Sequence, residues 1–166
     1  MSCEPQIIHF PQGIPGFEAH RNFQFIPEED TMLAQLISVE ENQLGFILLR
    51  PETYFPEYLN EIDIDEESIK VLNVKGDTVV DVWVILTLHR QEMHKTTANL
   101  RAPILLNSRD GMGTQVILNL SLMSLNLVSM LETIQVRAIE FSTFYLKTQH
   151  PGDGLDNGGH LWLHIW

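Results

Sequence analysis

Through the first 118 residues the apolar runs are short, and most are closed by a proline, a glycine or an acidic turn. IIHF (7–10) runs into PQGIPG, and FQFI (23–26) ends at Pro27 and the acidic turn EED. LAQLISV (33–39) ends at EENQ, and GFILLR (45–50) stops at Pro51. Proline removes a backbone donor and clashes with the preceding helical turn, so this punctuation leaves no room for long helices. Runs of this length between turn signals are expected to be strands.

The run VVDVWVILTLH (79–89) supports that reading. Val80, Val82, Val84, Leu86 and Leu88 share one parity, whereas Asp81, Trp83, Ile85 and Thr87 share the other. A period of two predicts a strand with a core face and a partly wet face. Helical signal is confined to two places. PETYFPEYL (51–59) has room for one or two turns between Pro51 and Pro56. DIDEESIKVL (63–72) suits a short helix capped by Asp63 or Asp65, with Glu66 and Glu67 in the first turn, which favours acidic side chains. The expected fold is therefore mainly β: a small antiparallel β-barrel-like domain with one or two short helices.

TTANLRAPILLN (96–107) is the odd segment. Pro103 cannot donate to a ladder, and it holds Ala102 extended. We read a bend here, with ILLN entering a strand, SRDGMG (108–113) turning, and TQVIL (114–118) returning as its partner.

Residues 1–70 hold 14 acidic and 3 basic residues, a net of −11, against 8 and 7 in residues 71–166, a net of −1. Nucleic-acid binding needs Lys and Arg on the surface, so direct nucleic-acid contact is not expected. Such acidity serves solubility, and it also steers a basic partner. Cys3 is the single cysteine, which excludes an internal disulfide and a multi-cysteine metal site. With no apolar leader in residues 1–10, a cytoplasmic setting is expected. Residues 111–131 carry no charge, but Asn119, Ser121, Ser124, Asn126 and Ser129 interrupt the run, so no membrane span is expected. IQVRAIEFSTFYL (134–146) reads as another strand and HPGDGLDNGGH (150–160) as a loop. The organisation is one barrel domain over residues 1–118, followed by an atypical segment over 119–166.

Motifs that carry chemistry are lacking. His89 and His94 are five apart, which suits neither a helix face nor a metalloprotease pattern; His160 and His164 have no third partner in view. DGLDNGG (153–159) fails as a calcium loop at its third and twelfth positions. No phosphate-binding or nucleophile-elbow motif occurs. Asp63, Asp65, Glu66 and Glu67 are better explained as a solvated helix start than as an acid/base pair. Neither a cofactor nor a metal is expected.

Three segments resemble the successive signatures of the flagellar assembly factor FliW family: FPQGIPGFE (10–18), RPETYFPEY (50–58), and TTANLRAPILLN followed by GTQVIL (113–118). Each also has a physical reading. Gly13 and Gly16 permit a left-handed turn stiffened by Pro15, and Phe10 and Phe17 can pin its ends to the core. Asn99 and Asn107 can bond backbone left incomplete by Pro103. Residues 119–166 depart from the short polar ending usual in the family.

The resemblance implies a non-enzymatic barrel that binds flagellin and, in alternation, the RNA-binding translational repressor CsrA, relieving repression of flagellin synthesis. It places Ile14, Pro15, Phe17, Tyr54, Phe55, Asn99, Arg101, Pro103 and Asn107 as partner-binding candidates. Arg101 leads for surface exposure, because Leu100 and Ala102 face the other side of an extended chain. The alternative is a small barrel that binds a cofactor or metabolite, as an enzyme or otherwise. It requires a pocket with convergent polar and titrating groups.

Overall fold

The computed structural model describes residues 4–88 and 96–118. The His89/His94 and His160/His164 pairs, the uncharged run beyond Leu118, and the strand and loop expected over 134–160 lie outside the described residues. The elements in order are β1 (Gln6–His9), β2 (Asn22–Pro27), β3 (Leu33–Ser38), β4 (Gly45–Leu49), the 3₁₀ turns η1 (Pro51–Thr53) and η2 (Tyr58–Glu61), α1 (Glu66–Val71), β5 (Asp81–Thr87), β6 (Thr97–Ala98), β7 (Ile104–Asn107) and β8 (Met112–Gln115). Proline and glycine punctuation locates most of these to within two residues. β8 starts earlier than expected, at Met112, because Met112 pairs with Asn107.

Strands follow the order β4-β3-β2-β1-β8-β7-β5, and β5 pairs back onto β4, which closes a barrel. All neighbours around this barrel are antiparallel except β1 and β8, which run parallel at His9↔Met112. A parallel pair needs a long crossover. Here the intervening barrel strands supply it. The His9 N–H donates to the Gly111 carbonyl at 2.8 Å, and the Gln6 side-chain amide donates to the Ser108 carbonyl.

Apolar side chains form two layers. The barrel interior contains Ile8, Phe23, Phe25, Leu36, Phe46, Leu48, Trp83, Ile104 and Leu106. A second cluster, on the outer side of β4, β5 and β7, contains Ile47, Leu49, Val84, Leu86 and Leu105, covered by Phe55, Tyr58, Leu72 and Leu100. The parity expected to be the core face of β5 thus packs under the 51–72 connection. Trp83, expected on the partly wet face, fills the barrel. Both faces are apolar because both are covered, and β4 is buried at every position. Trp83 meets Phe25 edge-on at 5.3 Å, and the Arg50 guanidinium lies 4.5 Å from its ring.

The covering connection is built as its sequence suggests. Pro51 opens η1, and Asp65 caps α1, its carboxylate accepting from the Ser68 N–H at 2.7 Å. That bond, the largest cause, holds the Asp65 carboxyl below its ordinary range.

Candidate partner-binding surface

Residues 10–18 make two consecutive turns. The Gly13 N–H donates to the Phe10 carbonyl at 2.9 Å and the Phe17 N–H to the Ile14 carbonyl at 2.7 Å. In the second, Pro15 occupies the position that favours a fixed φ, and Gly16 follows at φ +86°, as a type II turn demands. Gly13 sits at φ +72°, and an added Cβ would lie 2.6 Å from the Glu18 Cα, so only glycine fits there. Phe10 is fully buried, edge-on to Phe23 at 5.3 Å, and Phe17 is edge-on to Phe46 at 5.2 Å. The turn is pinned at both ends, as expected. The Glu18 carboxylate accepts from the Gly16 N–H at 2.9 Å, and this bond is the main cause that lowers its pKa.

Register explains the bend in residues 96–107. β5 pairs with β7 through Trp83↔Ile104 and with β6 through Leu86↔Ala98. Val84 and Ile85 therefore stand opposite residues 99–103, two positions against five. The three surplus residues form an excursion from the barrel wall, much larger than an ordinary one-residue bulge. Its backbone is fully engaged at its key points. The Asn99 N–H donates to the Ile85 carbonyl at 2.8 Å, and the Asn99 side-chain oxygen accepts from the Ala102 N–H at 3.1 Å. The carbonyls of Arg101 and Pro103 accept from Leu118 and Val116, at 2.8 and 3.0 Å. Leu100 turns inward and is buried.

The turn and the excursion both line a groove of about 420 Å³. Ile14, Pro15 and Phe17 come from the turn. Thr97, Ala98, Asn99 and Ala102 come from β6 and the excursion. Phe46 and the end of β5, residues 85–88, line the groove as well, together with Gln115 and Ile117. Among the described residues every lining side chain is uncharged, and Ile117 is 67% exposed.

Four of the nine predicted residues, Ile14, Pro15, Phe17 and Asn99, are thus brought together. The other five lie elsewhere. Tyr54 is half-buried in the covering connection, Phe55 is buried in the outer cluster, and Pro103 is buried at the entry to β7. Asn107 is fully buried. Its amide donates to the Leu72 carbonyl at 2.8 Å, so it holds α1 to the barrel as well as accepting locally from the Asp110 N–H. Arg101 is exposed at the tip of the excursion, as its parity suggested. Sequence reasoning missed Ile117, Ala98 and Gln115. The clue for Ile117 was an apolar residue on the outward parity between buried Val116 and Leu118.

The 51–72 connection is acidic. Glu57, Asp63, Asp65, Glu66 and Glu67 are exposed on it, and Gln12 of the first turn donates to the Glu67 carboxylate at 2.9 Å. Among the described residues no group of three or more His, Cys, Asp or Glu is placed to hold a metal ion, and no helix is long and apolar enough to cross a membrane.

The FliW protein family profile matches residues 2–127. A flagellar assembly factor FliW of Geobacillus kaustophilus (strain HTA426) is 44% identical over 115 residues, covering 69% of this chain and 78% of its own. The flagellar assembly factor FliW of Bacillus subtilis (strain 168) is 39% identical over 117 residues, 70% of this chain and 80% of its own. A crystal structure of the flagellar assembly factor FliW superposes with a TM-score of 0.61 at 43% identity, covering 69% of this chain and 79% of that one. Matches of this identity and extent take in the barrel and every described residue that lines the groove, and they establish that the chain belongs to the FliW family.

Proposed function

We propose that the protein is a flagellar assembly factor that acts by binding proteins rather than by catalysis, and that its partners are flagellin and the translational repressor CsrA. In this reading it holds either partner in turn in the cytoplasm. While flagellin is abundant inside the cell the protein is occupied, and export of flagellin frees it to bind CsrA and relieve repression.

Family membership over the whole barrel is the observation that carries the reading. The chemistry of the surface supports it. A catalytic or cofactor site gathers titrating groups in a cleft, whereas the described residues that line this groove are apolar or neutral polar. The net of −11 over residues 1–70 favours encounter with a repressor that must be basic to hold RNA, and it opposes direct contact with RNA itself.

Co-purification tests the proposal. The tagged full-length protein is expected to retain the organism's own flagellin and CsrA from separate extracts. Retention of neither would refute it.

A further inference from the structure

We infer that the outer face of β1, β2 and β3 is a self-association surface, on which a second copy of this chain docks weakly and symmetrically about Gln24.

The outer layer under the 51–72 connection takes in β4, β5 and β7, and of β3 it includes only Leu33. Alternate residues of β1, β2 and β3 fill the barrel, among them Ile8, Phe23 and Leu36, so the others point outward. The register sets Ile7, Gln24 and Ile37 side by side in one outward row. Ile7 is 53% exposed, and Val39, just beyond β3, is 56% exposed. Charge sets this face apart. The chain carries −12, and residues 1–70 alone carry −11. Yet no outward position of these three strands is Asp, Glu, Lys or Arg. Charged side chains are the usual device that keeps one solvated strand surface from meeting another. The carboxylates of Glu28 and Glu40 lie beyond the ends of β2 and β3, where they accept from the Gln35 and Asn22 amides at 2.9 Å.

Two copies of an acidic chain repel. They meet most easily where neither presents a charge, which favours this face against itself. The face is also self-complementary. Gln24 lies on the central strand, between Ile7 and Ile37, and its amide has no partner among the described residues. A carboxamide both donates and accepts, so it pairs with its own kind. A two-fold axis between the faces at Gln24 sets Gln24 against Gln24 at whatever angle the strands cross. Along the strands or across them, such an axis also sets isoleucine on isoleucine. Three strands of four to six residues offer only about 15 by 20 Å, short of the roughly 800 Å² per partner that a stable dimer buries. The association is therefore weak and reversible, with a dissociation constant on the order of 0.1 mM.

Sedimentation equilibrium of the full-length protein from about 10 µM to about 1 mM tests this. The mass is expected to climb towards that of a dimer. The dimer fraction is expected to grow as salt rises from about 0.05 to 0.5 M, because screening relieves the repulsion. Gln24→Glu and Gln24→Lys, each shown to be folded by circular dichroism, should each weaken self-association by about tenfold or more. Mixed in equal amounts they should recover it, since a carboxylate then faces an ammonium group. Ile7→Ser should weaken it by less, and it supplies the comparison should a charged variant fail to fold. Wild type that stays monomeric to about 1 mM overturns the inference. So do folded variants that associate as wild type does, or charged variants that do not recover on mixing. A monomeric wild type whose capture of flagellin or CsrA is weakened by Gln24→Lys gives the face to that partner, and likewise overturns self-association.

Discussion

The Tyr58 hydroxyl donates a 2.6 Å hydrogen bond to the Leu100 carbonyl across 42 positions of sequence, and both residues are buried. This bond ties the covering connection to the excursion, whose residues Asn99 and Ala102 line the groove. Burial pushes the phenol well above its ordinary pKa, so the donor stays protonated through the physiological range. Tyr58→Phe keeps the ring and leaves the Leu100 carbonyl without its donor. The expected cost is about 1–3 kcal/mol in urea unfolding, with the slope of the transition unchanged. A loss below a few tenths of a kcal/mol would show that the tie is dispensable.

Closure of the barrel depends on a close approach at Gly113. A Cβ there would lie 2.6 Å from the Phe10 ring and 2.8 Å from Ile8, both fully buried. Neither can move without disturbing the interior. Gly113→Ala is expected to destabilise by roughly 1–3 kcal/mol or more and to lower the melting temperature by several degrees. An unaltered melting temperature would contradict the packing described for β1 against β8.

Glu40 predicts a specific acid sensitivity. Burial disfavours its charge, but hydrogen bonds from its own backbone, from the Asn22 side chain, and from the backbone N–H groups of Asn22 and Arg21 prevail. They hold its pKa down from 4.5 to about 2. A depressed folded pKa contributes stability above pH 4.5, and that contribution fades as pH falls towards 2. Wild type is therefore expected to be more stable than Glu40→Gln at neutral pH, with the gap narrowing between pH 4.5 and 2. A gap independent of pH, measured by thermal melts across that range, would count against these bonds.

Much of the fold is legible in local chemistry. Pro27, Pro51 and the GIPG turn end runs where the strands end, and Asp65 caps α1 as an acidic residue before Glu66 and Glu67 should. What is not legible is non-local. The parity of residues 79–89 divides the side chains of β5 correctly, but only the 51–72 cover reveals that Trp83 lies inside the barrel and Val84 outside it. Pro103 announces a bend, whereas its size, five residues against two, follows from pairing on both sides of it. The groove is harder still, because five separate stretches of sequence meet there. The family resemblance marked Ile14, Pro15, Phe17 and Asn99, but nothing local joined them to Ile117. Asn107 was expected to serve its own loop, and its principal bond reaches Leu72, 35 positions away.

Arg101 separates binding from folding. Its backbone carbonyl is used by Leu118 while its side chain is exposed. Arg101→Ala should leave the melting temperature within a degree or two and weaken one partner complex by about 1–2 kcal/mol. Unchanged affinity for both flagellin and CsrA would remove it from the interface.

Charge should be felt in rate and in salt dependence. Association with CsrA is expected to weaken as salt rises from about 0.05 to 0.5 M, because the acidic first 70 residues act at a range that salt shortens. Association unchanged between low and high salt would argue against this electrostatic steering.

The most direct test of the account follows RNA. CsrA is bound to a fluorescent leader RNA from the flagellin message, and RNA release is read by anisotropy as the full-length protein is added. The account predicts that the protein lowers RNA occupancy and that flagellin, added afterwards, restores it. RNA occupancy indifferent to the protein, or release that flagellin cannot reverse, would contradict it.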